Sequence, residues 1–176
     1  MAKKKAFNLL ELVLKCRKFA ISKDKTRPYL QGVYFDKDEK RSVTTNGYVM
    51  SVSKILYQEE LGGLLLDSDF TVFKREFPKW QSVIPSKFND ECFYEIEERF
   101  FIKSKKPEDR KVFFYKDGTL SLEEKEGYLF ALDSFYLEPL KGLKLYFKSN
   151  NALSPVTVQL SEDYREEIFI IMPIKV

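Results

Sequence analysis

The residue types that most often carry out catalysis are scarce in this sequence. Histidine is absent, and the cysteines are Cys16 and Cys92 alone. Without histidine, the sequence excludes a Ser-His-Asp or Cys-His nucleophile, a histidine general base, and a metal site of two histidines and a carboxylate. Two cysteines are too few for a disulfide framework or a four-thiolate zinc site. The sequence therefore lacks the residues that these mechanisms require.

The carboxylates form four short clusters, which lie in predicted turns or alternate along predicted strands. Mg²⁺ needs carboxylates that converge with substrate phosphates, and clusters in such places are more often solvated. The seven glycines are scattered, and none has a P-loop or dinucleotide-binding spacing. A metal-dependent nuclease is thus disfavoured, and we predict no enzyme activity, no metal and no cofactor. The clusters are Asp36, Asp38 and Glu39; Glu95, Glu97 and Glu98; Glu123, Glu124 and Glu126; and Glu162, Asp163, Glu166 and Glu167.

Positive charge is concentrated at one end of the chain. Residues 1–27 hold seven lysines and two arginines against Glu11 and Asp24, so this segment carries +7. Because the whole chain of 176 residues carries +3, the other 149 residues sum to −4. A segregated basic segment is typical of a face that binds a polyanion. The alternative is an ordinary solvated lysine-rich surface.

The elements that position these residues follow from apolar spacing. Apolar residues three and four apart predict a helix over 7–21, capped by Asn8 with Glu11 three positions later. Asn46-Gly47 predicts a tight hairpin, and short apolar runs elsewhere predict strands. The order indicates an α+β fold of two small antiparallel-sheet domains with few helices, which meet near Pro85. Strands are predicted at 29–35, 41–45, 48–52, 70–73, 92–96, 99–104, 112–115, 119–122, 143–147, 156–160 and 168–174, with a second helix at 128–137.

Membrane and secretion signals are not expected. No stretch approaches 18 uninterrupted apolar residues, and the lysines at positions 3–5 lead into a segment already interrupted by charges. We therefore expect a cytoplasmic protein that does not associate with membranes.

Four segments resemble, in the same order, the bacterial replicative sliding clamp, the DNA polymerase III beta subunit. Residues 27–33 (RPYLQGV) and 42–48 (SVTTNGY) resemble a strand and a hairpin of that family. Residues 76–85 (EFPKWQSVIP) are similar to its link between the middle and last domains. Residues 153–156 (LSPV) and 171–176 (IMPIKV) resemble its closing motifs. No segment resembles the family's first domain, so we expect a clamp-like protein without it, and Tyr48 and Val49 replace a histidine and an arginine of the family's hairpin.

The resemblance implies a domain at 1–85 like the family's middle domain and a domain at 86–176 like its last. It also implies an apolar cleft between them that binds peptides of a polymerase or a clamp loader. The implied cleft residues are Leu30, Thr45, Gly47, Tyr48, Met50, Pro85, Leu153, Pro155, Ile170, Met172 and Pro173. From the residues alone, Leu30, Leu153 and Ile170 are equally well explained as core.

Two hypotheses follow from the resemblance. The first is a non-catalytic sliding-clamp-like processivity factor of a phage or mobile element, which binds double-stranded DNA without reading its sequence. One chain is too short to encircle DNA, so this hypothesis needs a homo-oligomeric ring, for which three copies would supply six domains. The second is a monomeric clamp mimic that competes for clamp-binding peptides. The implied DNA-binding residues are Lys15, Arg17, Lys18, Lys23, Lys25 and Arg27.

Overall fold

The first helix forms where the apolar spacing predicts it. In a computed structural model, which describes residues 8–73 and 76–175, helix α1 spans Leu9–Ala20. The Asn8 side chain accepts a hydrogen bond from the Glu11 amide at 3.3 Å, so the predicted N-cap is confirmed. One face of α1 is buried, including Cys16, and burial raises the pKa of the Cys16 thiol to about 12. In the described part of the chain, no helix is long and apolar enough to cross a membrane.

One antiparallel sheet of eight strands carries the fold. Its order is β4-β1-β2-β3-β11-β10-β9-β5. The first half of the chain supplies β1 to β4 and the second half supplies the other four strands, joined by the pairing of β3 with β11. The predicted division of the chain into two domains near residue 85 stays a prediction. The β3–β11 hydrogen bonds join the strands of both halves into one continuous sheet. The strands are β1 (Val33–Asp36), β2 (Arg41–Thr45), β3 (Val49–Ser53), β4 (Leu65–Leu66), β5 (Asp90–Glu95), β6 (Lys111–Tyr115), β7 (Leu120–Ser121), β8 (Tyr128–Asp133), β9 (Lys144–Ser149), β10 (Val156–Gln159) and β11 (Ile168–Ile171).

A second sheet covers the back half of the first. It has the order β7-β6-β8, and aromatic rings fill the space beneath it. Tyr94 meets Phe114 and Phe147 edge to face, with ring centroids 4.9 and 5.4 Å apart. Phe114 in turn stacks on Phe130 at 4.7 Å. These rings and the buried face of α1 belong to the largest core cluster, so α1 packs across both halves of the chain. The predicted α+β class with antiparallel sheets and few helices is confirmed.

The helix predicted over 128–137 is wrong for most of its length. Residues 128–133 form β8, which pairs with β6, and helix α2 spans only Ser134–Leu137, capped by Asp133. A short continuous apolar run that is buried on both faces has no period that distinguishes a strand from a helix. Pairing with β6, 13 or more positions earlier in the chain, decided the outcome.

The strands predicted at 119–122 and 168–174 are shortened to β7 and β11, and three other predicted strands differ more. Pro28 fixes the start of a 3-10 turn at Pro28–Leu30, so the strand predicted at 29–35 begins only at Val33. The strand predicted at 70–73 is reduced to a bridge between Leu66 and Val72. At 99–104 the chain continues from a 3-10 turn at Glu98–Phe100 instead of forming a strand, and the turn buries Phe100.

A buried ion pair ties the loop before β6 to the start of α2. Arg110 Nε donates to Asp133 Oδ1 at 2.8 Å, and a second bond joins Arg110 Nη2 to the other carboxylate oxygen. The Asp133 side chain is only 3% exposed. Its hydrogen bond raises the pKa of Arg110, so the guanidinium stays charged.

Replacing Arg110 by Ala should lower the free energy of unfolding by about 3–5 kcal/mol, because the buried Asp133 carboxylate would lose its cation. Urea denaturation followed by circular dichroism measures this change. The matched control is Arg99→Ala, which breaks the exposed Arg99–Glu97 pair of 2.8 Å and should cost at most about 1 kcal/mol. Similar losses in the two variants would contradict the structural role of the Arg110–Asp133 pair.

Candidate functional site: the apolar cleft and the basic face

An open cleft of about 870 Å³ lies where the two halves of the chain meet. Its walls come from the β2–β3 hairpin, the 3-10 turn at Pro28–Leu30, the connecting segment 78–86, the end of β11 and the loop before β10. Nine of the eleven cleft residues expected from the resemblance line it: Leu30, Thr45, Gly47, Tyr48, Met50, Pro85, Pro155, Ile170 and Met172. Leu153 and Pro173 do not line it, and Leu153 is instead 61% exposed on the neighbouring loop.

The floor of the cleft differs from its rim. Met50 and Ile170 face each other in the β3–β11 register, and both are buried. Leu30 is also buried, so these three side chains form the floor of the cleft and belong to the hydrophobic core. Tyr48 and Met172 are 55% and 37% exposed. The rim therefore offers apolar surface that a bound molecule could still cover.

The hairpin turn fixes the position of Tyr48. Asn46 Oδ1 accepts from the amides of Tyr48 and Val49 at 2.9 and 3.0 Å, while Gly47 takes a φ of +92° that favours glycine. The Tyr48 carbonyl accepts from the Met172 amide at 2.9 Å. The Tyr48 ring stacks on the ring of Tyr136 in α2, with ring centroids 5.5 Å apart. Tyr48 is thus held from both halves of the chain although most of its surface is free.

The connecting segment is anchored by a buried carboxylate. Trp80 Nε1 donates to Asp36 Oδ2 at 2.7 Å, and Gln81 Nε2 donates to the same oxygen at 3.2 Å. The other oxygen of Asp36 accepts from the amides of Asp38 and Glu39, both at 3.0 Å. The expectation that this acidic cluster is solvated is wrong for Asp36, because four donors compensate its burial.

Glu167 was also expected in solvent with its acidic cluster, and this expectation is wrong as well. Glu167 is only 1% exposed, and its Oε1 accepts from the amides of Lys54 and Ile55, each at 2.8 Å. The bonds join the loop before β11 to the turn after β3. Within residues 8–73 and 76–175, no three histidine, cysteine, aspartate or glutamate side chains are grouped so that they could hold a metal ion.

Sequence reasoning missed about half of the cleft lining. Most of the missed residues lie in segment 78–86, and the sequence carried a signal for them, since 76–85 was one of the matched segments. Of this segment, the resemblance implied only Pro85 as a cleft residue. The missed residues are Tyr29, Val49, Pro78, Gln81, Ser82, Val83, Ile84, Ser86, Asn150 and Ser154.

The six expected DNA-binding residues fall into two groups. Lys15, Lys18, Lys23 and Lys25 are exposed on α1 and the loop after it, and we call these four lysines the basic face. Arg17 is half-buried, with its guanidinium carbon 5.9 Å from the centre of the Phe35 ring, and burial lowers its pKa.

Arg27 is paired with a neighbouring carboxylate. Its Nε donates to Asp24 Oδ2 at 2.9 Å, and its Nη1 lies 3.4 Å from where a Cβ on Gly47 would stand, at the hairpin tip. Hydrogen bonds from the Thr26 hydroxyl and amide, together with Arg27, lower the pKa of Asp24 to about 2. Asp24 is therefore charged at neutral pH and balances Arg27 locally.

Solved structures with this architecture are bacterial sliding clamps. The beta subunit of Thermotoga maritima DNA polymerase III superposes with a TM-score of 0.70 at 20% identity, over 96% of this chain and 64% of that chain. The chain has the sliding-clamp fold. The clamp of Caulobacter crescentus with polyethylene glycol bound gives 0.70 at 17%, and that of Bartonella birtlesii bound to griselimycin gives 0.69 at 18%, each over 95% of this chain and 64% of that chain.

The chain is similar to sliding clamps in structure, and over part of the length of the clamp chains. The chain spans less than two thirds of the clamp chains it matches. No protein-family model matches the sequence, and no curated protein matches it either. The clamp fold is thus retained at a level of identity where only short motifs are recognisable in the sequence.

Replacing Asp36 by Ala should lower the free energy of unfolding by about 2–3 kcal/mol, because the buried Trp80 N–H would lose its charged acceptor. Denaturant unfolding followed by Trp80 fluorescence measures the change and reports on the cleft wall directly, since Trp80 is the one tryptophan of the chain. The control is Asp38→Ala, at an exposed position of the same turn, which should change stability by less than about 0.5 kcal/mol. Equal stability of the Asp36 variant and the parent protein would show that Asp36 does not hold the wall.

Proposed function

We propose that the protein is a non-catalytic, sliding-clamp-like processivity factor that holds partner peptides in the cleft and duplex DNA against the basic face. The observation that carries the proposal is the cleft of about 870 Å³ at the junction of the two halves, with exposed apolar residues on its rim. The sliding-clamp fold supports the same function. The Caulobacter clamp is described with polyethylene glycol bound to a putative beta-motif tethering region.

The chemistry of the cleft favours an extended peptide with large apolar side chains. Its volume lies within the range of about 300–1,000 Å³ that is common for binding pockets. Tyr48, Met172 and Pro155 supply an apolar surface that can adapt to leucine or phenylalanine anchors. Each anchor would contribute about 1.5–3 kcal/mol before the cost of ordering the peptide. We assign such peptides to a polymerase or a clamp loader.

Replacing Tyr48 by Asp should weaken the binding of a fluorescent clamp-binding peptide by more than about 1 kcal/mol, because binding energy concentrates in a few anchors. Fluorescence anisotropy measures the affinity, and circular dichroism checks the fold. The matched control is Tyr164→Asp, the same change at a tyrosine that is 53% exposed and lies outside the cleft. Equal affinities of the two folded variants, or no binding to the parent protein at millimolar concentration, would refute peptide capture in the cleft.

Duplex DNA would be held by long-range attraction to phosphates without base readout. The basic face, Lys15, Lys18, Lys23 and Lys25, is exposed and supports this role. Arg17 and Arg27 contribute less to the proposal, since the first lies over Phe35 and the second is paired with Asp24. In this proposal a closed ring of copies encircles the DNA, and three copies of this chain would supply six domains.

Replacing Lys15 and Lys18 together by Ala should reduce the slope of log affinity against log salt by about 2 units on duplex DNA, because each phosphate contact adds about 0.9. The control is the double variant Lys103→Ala, Lys105→Ala, which removes the same charge from exposed positions in the back half. Its slope should match that of the parent protein. A Lys15 and Lys18 variant that shows the parental slope would mean that α1 is a solvated surface only.

A monomeric clamp mimic remains the second candidate. Every residue that lines the cleft comes from one chain, so peptide capture by itself needs no ring. Both candidates predict the effect of Tyr48→Asp, and the mass of the protein in solution separates them. A mass that stays at 20.8 kDa at high concentration would favour the mimic, and a stable trimer or other ring would favour the clamp.

A further inference from the structure

Phe70 occupies a position that the fold itself does not explain. Its side chain is 77% exposed, and its backbone has a φ of +61°, in the left-handed region. The turn is held firmly in this conformation: Asp67 Oδ1 accepts from the amides of Asp69 and Thr71 at 2.9 and 2.8 Å, and the Asp67 carbonyl accepts from the Phe70 amide at 3.1 Å. We call residues 67–72 the Phe70 loop.

A bulky side chain at positive φ is an uncommon arrangement, whereas asparagine or glycine adopts it readily. The chain gains almost no burial from the Phe70 ring in return. Val72, at the end of the same loop, is a second exposed apolar residue, at 48%. A strained and rigid residue of this kind points to a contact outside the chain, since strain is retained where function requires it.

The opposite end of the eight-stranded sheet offers a complementary surface. Two adjoining cavities of about 350 and 360 Å³ lie over β5, β9 and β10, and both are lined by Phe93 and Tyr146. These two rings lie 4.8 Å apart and form an aromatic floor that is partly open to solvent. Gln159 and Glu162 also line both cavities. We call this surface the aromatic groove.

Charge favours a match between the loop and the groove. The Phe70 loop carries the carboxylates of Asp67 and Asp69 beside the exposed ring. The aromatic groove is lined by the cations of Lys144, Lys148 and Arg165, against Glu91 and Glu162. Glu91 is already engaged, because it accepts from the Tyr146 hydroxyl at 2.6 Å and lies 4.0 Å from Lys148. The Glu91–Lys148 pair cancels, and Lys144 and Arg165 outweigh Glu162, so the net charge of the groove is opposite in sign to that of the loop.

We propose that the Phe70 loop of one copy docks in the aromatic groove of a second copy, with the Phe70 ring on the Phe93–Tyr146 floor. The loop follows β4, the first strand of the sheet, and the groove overlies β5 and β9, the last two. Each copy thus presents the loop at one end and the groove at the other, so the contact is head-to-tail and propagates into a ring or a filament. The proposal rests on the ring assembly of the proposed function and specifies its surfaces, and it does not involve the cleft.

The first experiment measures mass against concentration by sedimentation equilibrium. Phe70→Asn should weaken self-association at least about tenfold, because it removes the buried anchor, and its thermal stability should be unchanged or higher, since asparagine suits the left-handed backbone. Phe93→Glu should weaken association similarly from the groove side. Arg165→Glu, at an exposed position, serves the same purpose should Phe93→Glu fail to fold. The control Leu122→Asn removes another exposed apolar side chain, 41% exposed, and should associate like the parent protein.

Mixing the two variants gives the decisive result. A Phe70→Asn copy keeps its groove and a groove variant keeps its loop, so an equimolar mixture should form a dimer of one copy each and nothing larger. No dimer in the mixture, unchanged association of Phe70→Asn, or a parent protein that stays monomeric would each overturn the proposal. Peptide binding by the Phe70→Asn variant tests peptide capture in the cleft separately from the loop contact. If its peptide affinity equals that of the parent protein, peptide capture stands even when the loop contact is refuted.

Discussion

The pairing of β3 with β11 is the interaction on which the rest of the structure depends. It joins segments more than 100 positions apart and turns two sets of four strands into one sheet. Its register places Met50 opposite Ile170 at the floor of the cleft, and its continuation bonds the Met172 amide to the Tyr48 carbonyl. Because side chains alternate along a strand, a slip of one residue would move Met50 to the other face of the sheet. The register therefore determines whether the cleft exists.

Two buried carboxylates fix the surroundings of this junction. Glu167 bonds the amides of Lys54 and Ile55, where the chain leaves β3, and so limits the freedom of β3 to slide against β11. Asp36 bonds Trp80 and holds the connecting segment against the front of the sheet. Asp36 accepts hydrogen bonds on both oxygens, so it adds specificity at a modest cost of burial. Glu167 accepts them on Oε1 alone, and its buried Oε2 has no hydrogen-bond partner among the described residues, so its burial costs more. Hydrophobic burial alone would leave both segments free to shift, because it has no direction.

How far the sequence predicts this protein depends on the distance between partners along the chain. Helix α1 and its Asn8 cap, and a turn at Asn46-Gly47, arise from residues within a few positions of one another, and both were predicted. The turn is longer than the predicted two-residue loop, because Thr45 pairs with Met50 and four residues lie between them. The strand at 128–133 was predicted as a helix because its identity depends on β6. Asp36 was expected in solvent because its partner Trp80 lies 44 positions away. About half of the cleft lining could be located through motif resemblance, whereas the anchoring of its wall could not.

The position of the cleft has a consequence for binding energy. A molecule in the cleft contacts residues of both halves, including Tyr48 of the hairpin and Met172 beyond β11, so it gains full contact only while the junction is intact. A ligand that binds only the intact junction stabilises that junction by linkage, by about 2.7 kcal/mol at a hundredfold excess over its dissociation constant. Partner binding and the integrity of the eight-stranded sheet are thus thermodynamically coupled. In the proposed ring, this coupling would make an occupied cleft stabilise the sheet that connects the two ends of each copy.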